Sequence, residues 1–353
     1  MPILTLHRLR NAVTTLFSIG FILLLLTGCN SSPWAVPDEA FDVEVPEPLN
    51  LSELIATLPS DTLKAHAIWT ANTGQFGALY TEEILRIGEN DQTQIVAELN
   101  AFATHPEITS IQQAIDSTSG EEDVLKNIEL ELTRGIQRFH YFFPSEPAPR
   151  IVWMNTGFNF AVYPTNEELG IGLEWFLGAD HPMVQTLPLH LFPQYMRNRM
   201  EPELIPTTAL RGWLLVHFSD PWYVSVENMV DEMMYWGKIT FILHQCFPEV
   251  PVERLFDWTP ESLEWAKNNE RAVWIELQSQ QDLFNTNRSE FGPLFSEGPF
   301  TNYGAIPQDS PDRLGIYMGW RMVNEYMLKN PELTFGELLA TDDYQTIMKA
   351  YRP

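Results

Sequence analysis

The chain has 353 residues, 44% hydrophobic and 12% aromatic, enough to bury a sizeable core and too apolar for a disordered protein. It carries 21 Lys and Arg against 47 Asp and Glu, a formal net charge of −26. That balance argues against nucleic acid and against direct adhesion to anionic lipid, and admits basic partners.

The first residues read as an export signal. Arg8 and Arg10 form a basic region, and Leu16 to Leu26 is an apolar run short for a membrane span. The run ends in Leu26-Thr27-Gly28-Cys29, which resembles a bacterial lipobox: an apolar residue, two small ones, then the cysteine that is acylated. Residues 1–28 are therefore expected to be a lipoprotein signal peptide, with Cys29 the lipidation site. Two or three acyl chains anchor stably where one is marginal. Residues 29–50 hold four prolines and five acids without Lys or Arg, the composition of an extended tether. Asn30 follows the cysteine, which leaves inner and outer membrane open. Without the signal the chain has 19 basic and 47 acidic groups, a net of −28.

A globular domain is expected over 51–353. Val124, Ile128, Leu132, Ile136 and Phe139 form one stripe of a helix from Glu121, which stops at Phe142-Phe143-Pro144. Strands are predicted at Arg150–Met154, Asn159–Tyr163 and Glu168–Phe176. In the last, Ile171, Leu173 and Trp175 alternate with Gly170, Gly172 and Glu174, and Pro164-Thr165-Asn166 makes a hairpin. Ser225 is expected to cap a long helix to Gln245, and Thr259-Pro260-Glu261 to open another to Gln280. A Gly/Pro-rich loop, 291–308, leads into Ser310–Met327. There Ser310 suits an N-cap, Pro311 the first helical position, and Asp312 the positive end of the dipole. Leu314, Tyr317, Met318 and Met322 share a face. Gly315 and Gly319 leave a bare patch that fits close helix packing. Arg313 sits where the dipole disfavours a cation, so a specific partner is expected: Asp309, Asp312 or a ligand anion. The fold class is α+β, predominantly helical, one domain with a small sheet.

Asn228, Asp231, Glu232, Tyr235 and Lys238 form a polar stripe, expected as a solvated face; an acid–tyrosine–lysine network is the alternative. Arg321 and Glu325 stand i,i+4. His181, His190 and His244 read as structural. Cys29 and Cys246 give no disulfide framework. No two histidines are four apart, and no C-x-x-C, P-loop, G-x-S-x-G or G-x-G-x-x-G occurs, so no cofactor, metal or catalytic residue is assigned.

Ser310–Met327 with its flanks resembles the C-terminal signature of the gliding motility lipoprotein GldB family of Bacteroidetes. Glu168 to Gly178, Leu191-Phe192-Pro193-Gln194-Tyr195, Gly212-Trp213, Tyr235-Trp236-Gly237-Lys238 and Trp258-Thr259-Pro260 to Trp274 resemble its other blocks. The resemblance covers about 50 to 353. It implies a non-enzymatic, membrane-anchored component of the gliding machinery, a process tied to type IX secretion. Such a protein sits in the cell envelope on the acyl chains of Cys29, faces the periplasm, and touches other gliding or type IX secretion proteins.

The order of helix, small sheet and helix is also similar to a degenerate zincin (metallopeptidase-type) scaffold. In such enzymes two His at i and i+4 hold one zinc. Here Thr207 to His217 offers His217 alone, and Trp236-Gly237 stands where such peptidases have Glu-Gly. The alternative function is thus a zincin-related, metal-dependent peptidase with non-standard ligands. A third reading, binding of an extracellular polymer, rests on eleven Trp and needs them exposed in a row.

Overall fold

The computed structural model describes residues 32–87, 94–119, 124–218, 227–279 and 282–353. Contacts divide the chain into Met1–Pro37 and Asp38–Pro353. In the first unit the Ala35 N–H donates to the Ser32 carbonyl at 3.0 Å. The signal peptide, Cys29 and Ser225 lie outside the described residues.

The second unit is an α+β body with one four-stranded mixed sheet in the order β1-β2-β4-β3. β1 is Leu49–Asn50, β2 Arg150–Met154, β3 Val162–Pro164 and β4 Glu168–Gly172. β1 and β4 run parallel to β2, and β3 pairs antiparallel with β4 in the expected hairpin. Ile151, Val152, Trp153 and Met154 are all buried, the continuous apolar run of a strand covered on both faces. Leu51, Trp69, Phe76, Tyr80 and Leu99 from the Leu51–Thr57, Thr62–Leu79 and Ile95–Thr104 helices and the Tyr80 turn pack on it with Val152 and Met154.

One expectation is corrected at the sheet, and the segment before Leu51 is joined to the body. Asp38–Asp42 forms a 3-10 turn, the Gln137 side chain donates to the Phe41 and Val43 carbonyls at 2.8 and 2.9 Å, and Arg150 Nε donates to the Glu47 carbonyl at 3.1 Å. An acidic, proline-rich segment cannot make a core of its own. It docks here because side-chain donors of the body meet its carbonyls. The third predicted strand ends at Gly172 and turns into a 3-10 helix, which carries Glu174 into the interior rather than to a polar face.

Around the sheet stand the longer helices, among them Val124–Phe142, Ile205–His217, Met229–Cys246, Pro260–Ser279 and Leu314–Lys329. Ile128, Leu132, Ile136 and Phe139 are buried as the stripe predicts, and Phe139 meets Trp213 edge-on at 4.8 Å. Met229–Cys246 is the central helix, buried on nearly every side, polar residues among them. Its N-cap is Asn228, whose side chain accepts from the Asp231 N–H at 3.2 Å. The polar stripe is not a solvated face. Glu232 takes two hydrogen bonds from Arg288 at 2.9 and 3.0 Å, and buried Lys238 donates to the Leu339 and Thr341 carbonyls. Cys246 is free and buried.

Candidate functional site

The Ser310-Pro311-Asp312 start signal is used differently from the expectation. The helix begins at Leu314, and Arg313 before it is left-handed, φ 56°. The Thr301 hydroxyl, from the loop, accepts from the Leu314 N–H at 3.1 Å and donates to the Pro311 carbonyl at 2.8 Å. Thr301 thus does the capping that Ser310 was expected to do, and the Ser310 hydroxyl is buried without a hydrogen-bond partner among the described residues. Delaying the helix by three residues frees Asp312 and Arg313 for an ion-pair network.

Asp312 accepts from Arg199 Nη2 at 2.6 Å, the Trp258 indole at 3.1 Å and the Gly298 N–H at 2.9 Å, and lies 3.3 Å from Arg313 Nε. Asp257 accepts from Arg211 Nη2 at 2.5 Å and Arg313 Nη1 at 3.2 Å. Arg313 also donates to the Phe256 carbonyl. Asp257 closes the Val252–Phe256 turn with φ 51°, so both partners of the inner pair hold left-handed backbone. Each such residue costs about 1–2 kcal/mol, a strain that clusters at functional sites. The Asp312 and Asp257 side chains are only 1% and 5% exposed. Burial alone would raise the Asp257 carboxyl. The Arg211, Arg313 and Arg199 guanidiniums outweigh it and hold it at about 2.

This network floors a groove of about 530 Å³ whose walls include Tyr195, Arg199, Glu201, Glu203, Trp258 and Asp312. No histidine or cysteine lines it among the described residues. A carboxylate held at about 2 between guanidiniums accepts no proton near neutrality. What the groove offers is charge, hydrogen bonds and two aromatic rings.

The other residues singled out in the sequence do not gather. His181 accepts from the Met183 N–H and caps a short helix, and His190 is exposed. His217 stacks on Trp213 at 4.4 Å with its Nε2 2.9 Å from Glu146. His244 is half-enclosed by Trp320, and burial pushes its imidazole down toward the neutral form. No three His, Cys, Asp or Glu converge as metal ligands among the described residues. Trp69, Trp153, Trp213, Trp258 and Trp320 are core, and none of the described Trp is exposed, so the row that polymer binding needs is missing there. Arg321 reaches Glu325 at 3.5 Å, but its nearer partner is Glu270 at 3.0 Å. Sequence reading missed Arg199, Arg211 and Asp257. The available signal was that Arg211 and Asp257 directly flank the Gly212-Trp213 and Trp258-Thr259-Pro260 motifs, charges set against apolar blocks.

The family model described as gliding motility protein GldB matches residues 44–353. No curated protein and no solved structure matches the chain. The chain belongs to the GldB family of gliding motility lipoproteins.

Proposed function

We propose that this member of the GldB family is a lipid-anchored component of the gliding machinery that acts by protein contact and not by catalysis. The observation that carries the reading is the groove floor. Its two buried carboxylates are committed to Arg199, Arg211 and Arg313, an arrangement that supports a charged recognition surface. The lipobox supports anchoring through Cys29, with the body facing the periplasm and meeting other gliding or type IX secretion proteins. No helix of the described residues is long and apolar enough to cross a membrane.

The test is complementation of a deletion strain. The deletion is expected to stop spreading and cell movement. The wild-type gene restores both, and Cys29→Ser leaves the protein out of the membrane fraction and restores neither. Normal movement in the deletion strain refutes the reading. Stoichiometric zinc in the purified protein, with peptide hydrolysis lost on chelation, replaces it by the peptidase alternative.

A further inference from the structure

A second cavity of about 420 Å³ adjoins the groove, and the two share Pro251 and Arg254. The Val252–Phe256 turn is thus a low ridge between two compartments. Their charges are opposite. In the first, Asp257 and Asp312 are neutralised by their arginines, which leaves Glu201, Glu203 and Glu253, none of them in an ion pair among the described residues. The second is walled by Arg134, Arg138 and Arg254 against Glu131 and Glu249. Arg138 is tied to Glu249 at 2.7 Å. Arg134 is exposed, and neither it nor Arg254 is in an ion pair among the described residues. Burial pushes the Glu131 carboxyl up, opposed by Arg254 and aided by Glu249, so its negative charge is held less firmly. Arg134 and Arg254, neither in an ion pair among the described residues, stand together in the wall of this cavity, with Arg254 shared with the groove and set against Glu131.

From this charge pattern we infer that the paired cavities seat an extended segment of a protein partner, with a Lys or Arg side chain in the larger cavity and an Asp or Glu in the smaller. The inference rests on the protein-contact reading and names the occupant of its groove. Taken as touching spheres, two cavities of these volumes put their centres about 10 Å apart, or about three residues of polyproline II chain, in which side chains three apart share a face. A free amino acid carries its two charges far closer than that and cannot fill both. A peptide with opposite charges three positions apart can, and the complementary potentials set its register.

The experiment uses the full-length lipoprotein in detergent micelles and fluorescein-labelled octapeptides of Gly, Ser and Ala. They carry Lys-x-x-Glu, Glu-x-x-Lys, Lys-x-x-Lys or Glu-x-x-Glu at their centre. At least one mixed peptide is expected to bind about tenfold more tightly than both like-charged ones. The Arg134→Glu/Arg254→Glu protein loses that preference and takes the Lys-x-x-Lys peptide instead. Arg134→Glu alone, at an exposed position, serves if the double variant melts early. Equal binding of Lys-x-x-Lys by the wild type, a mixed-peptide preference that survives charge reversal, or no binding up to millimolar peptide overturns the inference. Cells carrying the double variant separate this from the broader reading. If they glide normally while the deletion strain is immotile, the occupant is wrong and protein contact stands. If the deletion strain glides, the broader reading falls.

Discussion

Gly237 and Gly319 meet backbone to backbone: a Cβ on Gly237 would lie 2.4 Å from the Gly319 carbonyl oxygen. A Cβ on Gly319 would lie 1.9 Å from the Met233 oxygen. The Met229–Cys246 and Leu314–Lys329 helices therefore cross at main-chain contact, which offsets the roughly 1 kcal/mol that each glycine costs in a helix.

Gly319→Ala must push the two helices apart, because the obstacle is backbone and not a flexible side chain. The expected loss is about 3 kcal/mol or more, read as a lower urea midpoint. Gly336→Ala is the control. It is also helical, but nothing lies within 4 Å of its Cβ position, so it is expected to be neutral or stabilising. Equal effects of the two would mean the crossing is looser than described.

Asp257→Asn removes the counter-charge of buried Arg313 and Arg211 and is expected to cost about 3–5 kcal/mol at pH 7. The native carboxyl, held at about 2, lies below its ordinary value of 3.8. Its stabilisation is complete above pH 3.8 and is lost as the pH falls through 2. The gap between wild type and variant therefore narrows by about 2 kcal/mol over that window. Denaturant titrations at several acid pH values measure it. A gap constant with pH would show that Asp257 is not the ionised member of these pairs.

What was legible in the sequence follows from how local each signal is. The stripe from Val124 to Phe139 and the run Arg150–Met154 carry their own period, and both elements form where expected. Asp38–Asn50 reads as a tether because its composition is extended; that Gln137 and Arg150 would bind its carbonyls is written elsewhere in the chain. The start of the 314–329 helix was misplaced for the same reason, since its cap is Thr301. The groove floor draws on positions 199, 211, 257 and 312–313, which no spacing links. One part of it was readable: Arg313 stood where a cation needs a partner. Asp312, an acid anticipated for it, is one of the three it pairs with.

Lys238 is predicted to show itself at alkaline pH. Burial lowers its ammonium from 10.5 to about 8, opposed by Asp342 and Asp231. A lysine depressed in the fold binds its proton more weakly than in the unfolded chain, so its contribution to stability rises as the pH climbs from 8 to 10.5. Tyr80, Tyr317, Tyr351 and Cys246, all raised first of all by burial, pull the other way. The difference between wild type and Lys238→Met removes those common effects. It should move by about 3 kcal/mol in favour of the wild type over that range. No movement would mean that the ammonium keeps its ordinary affinity for protons.

Glu174 provides the sharpest case of a buried acid without a cation. Its Oε1 accepts from the Thr156 and Phe158 N–H groups at 2.8 and 3.0 Å and from the Thr156 hydroxyl, while Oε2 is buried without a hydrogen-bond partner among the described residues. These bonds pin a turn in which Gly157 and Phe158 both have φ 64°. Burial raises the carboxyl above 4.5, more than the Thr156 and Phe158 hydrogen bonds lower it. The protonated acid therefore stabilises the fold below pH 4.5, and that stabilisation is lost as the pH rises through the raised value. Glu174→Gln keeps the accepting oxygen and abolishes the titration. The variant is expected to gain on the wild type as the pH rises from 4.5 and to be at least as stable at pH 7. Glu174→Ala strands two backbone N–H groups and is expected to lose about 2 kcal/mol or more at every pH. Parallel pH profiles for wild type and Glu174→Gln would refute the raised carboxyl. A Glu174→Ala protein as stable as wild type would refute its hold on the turn.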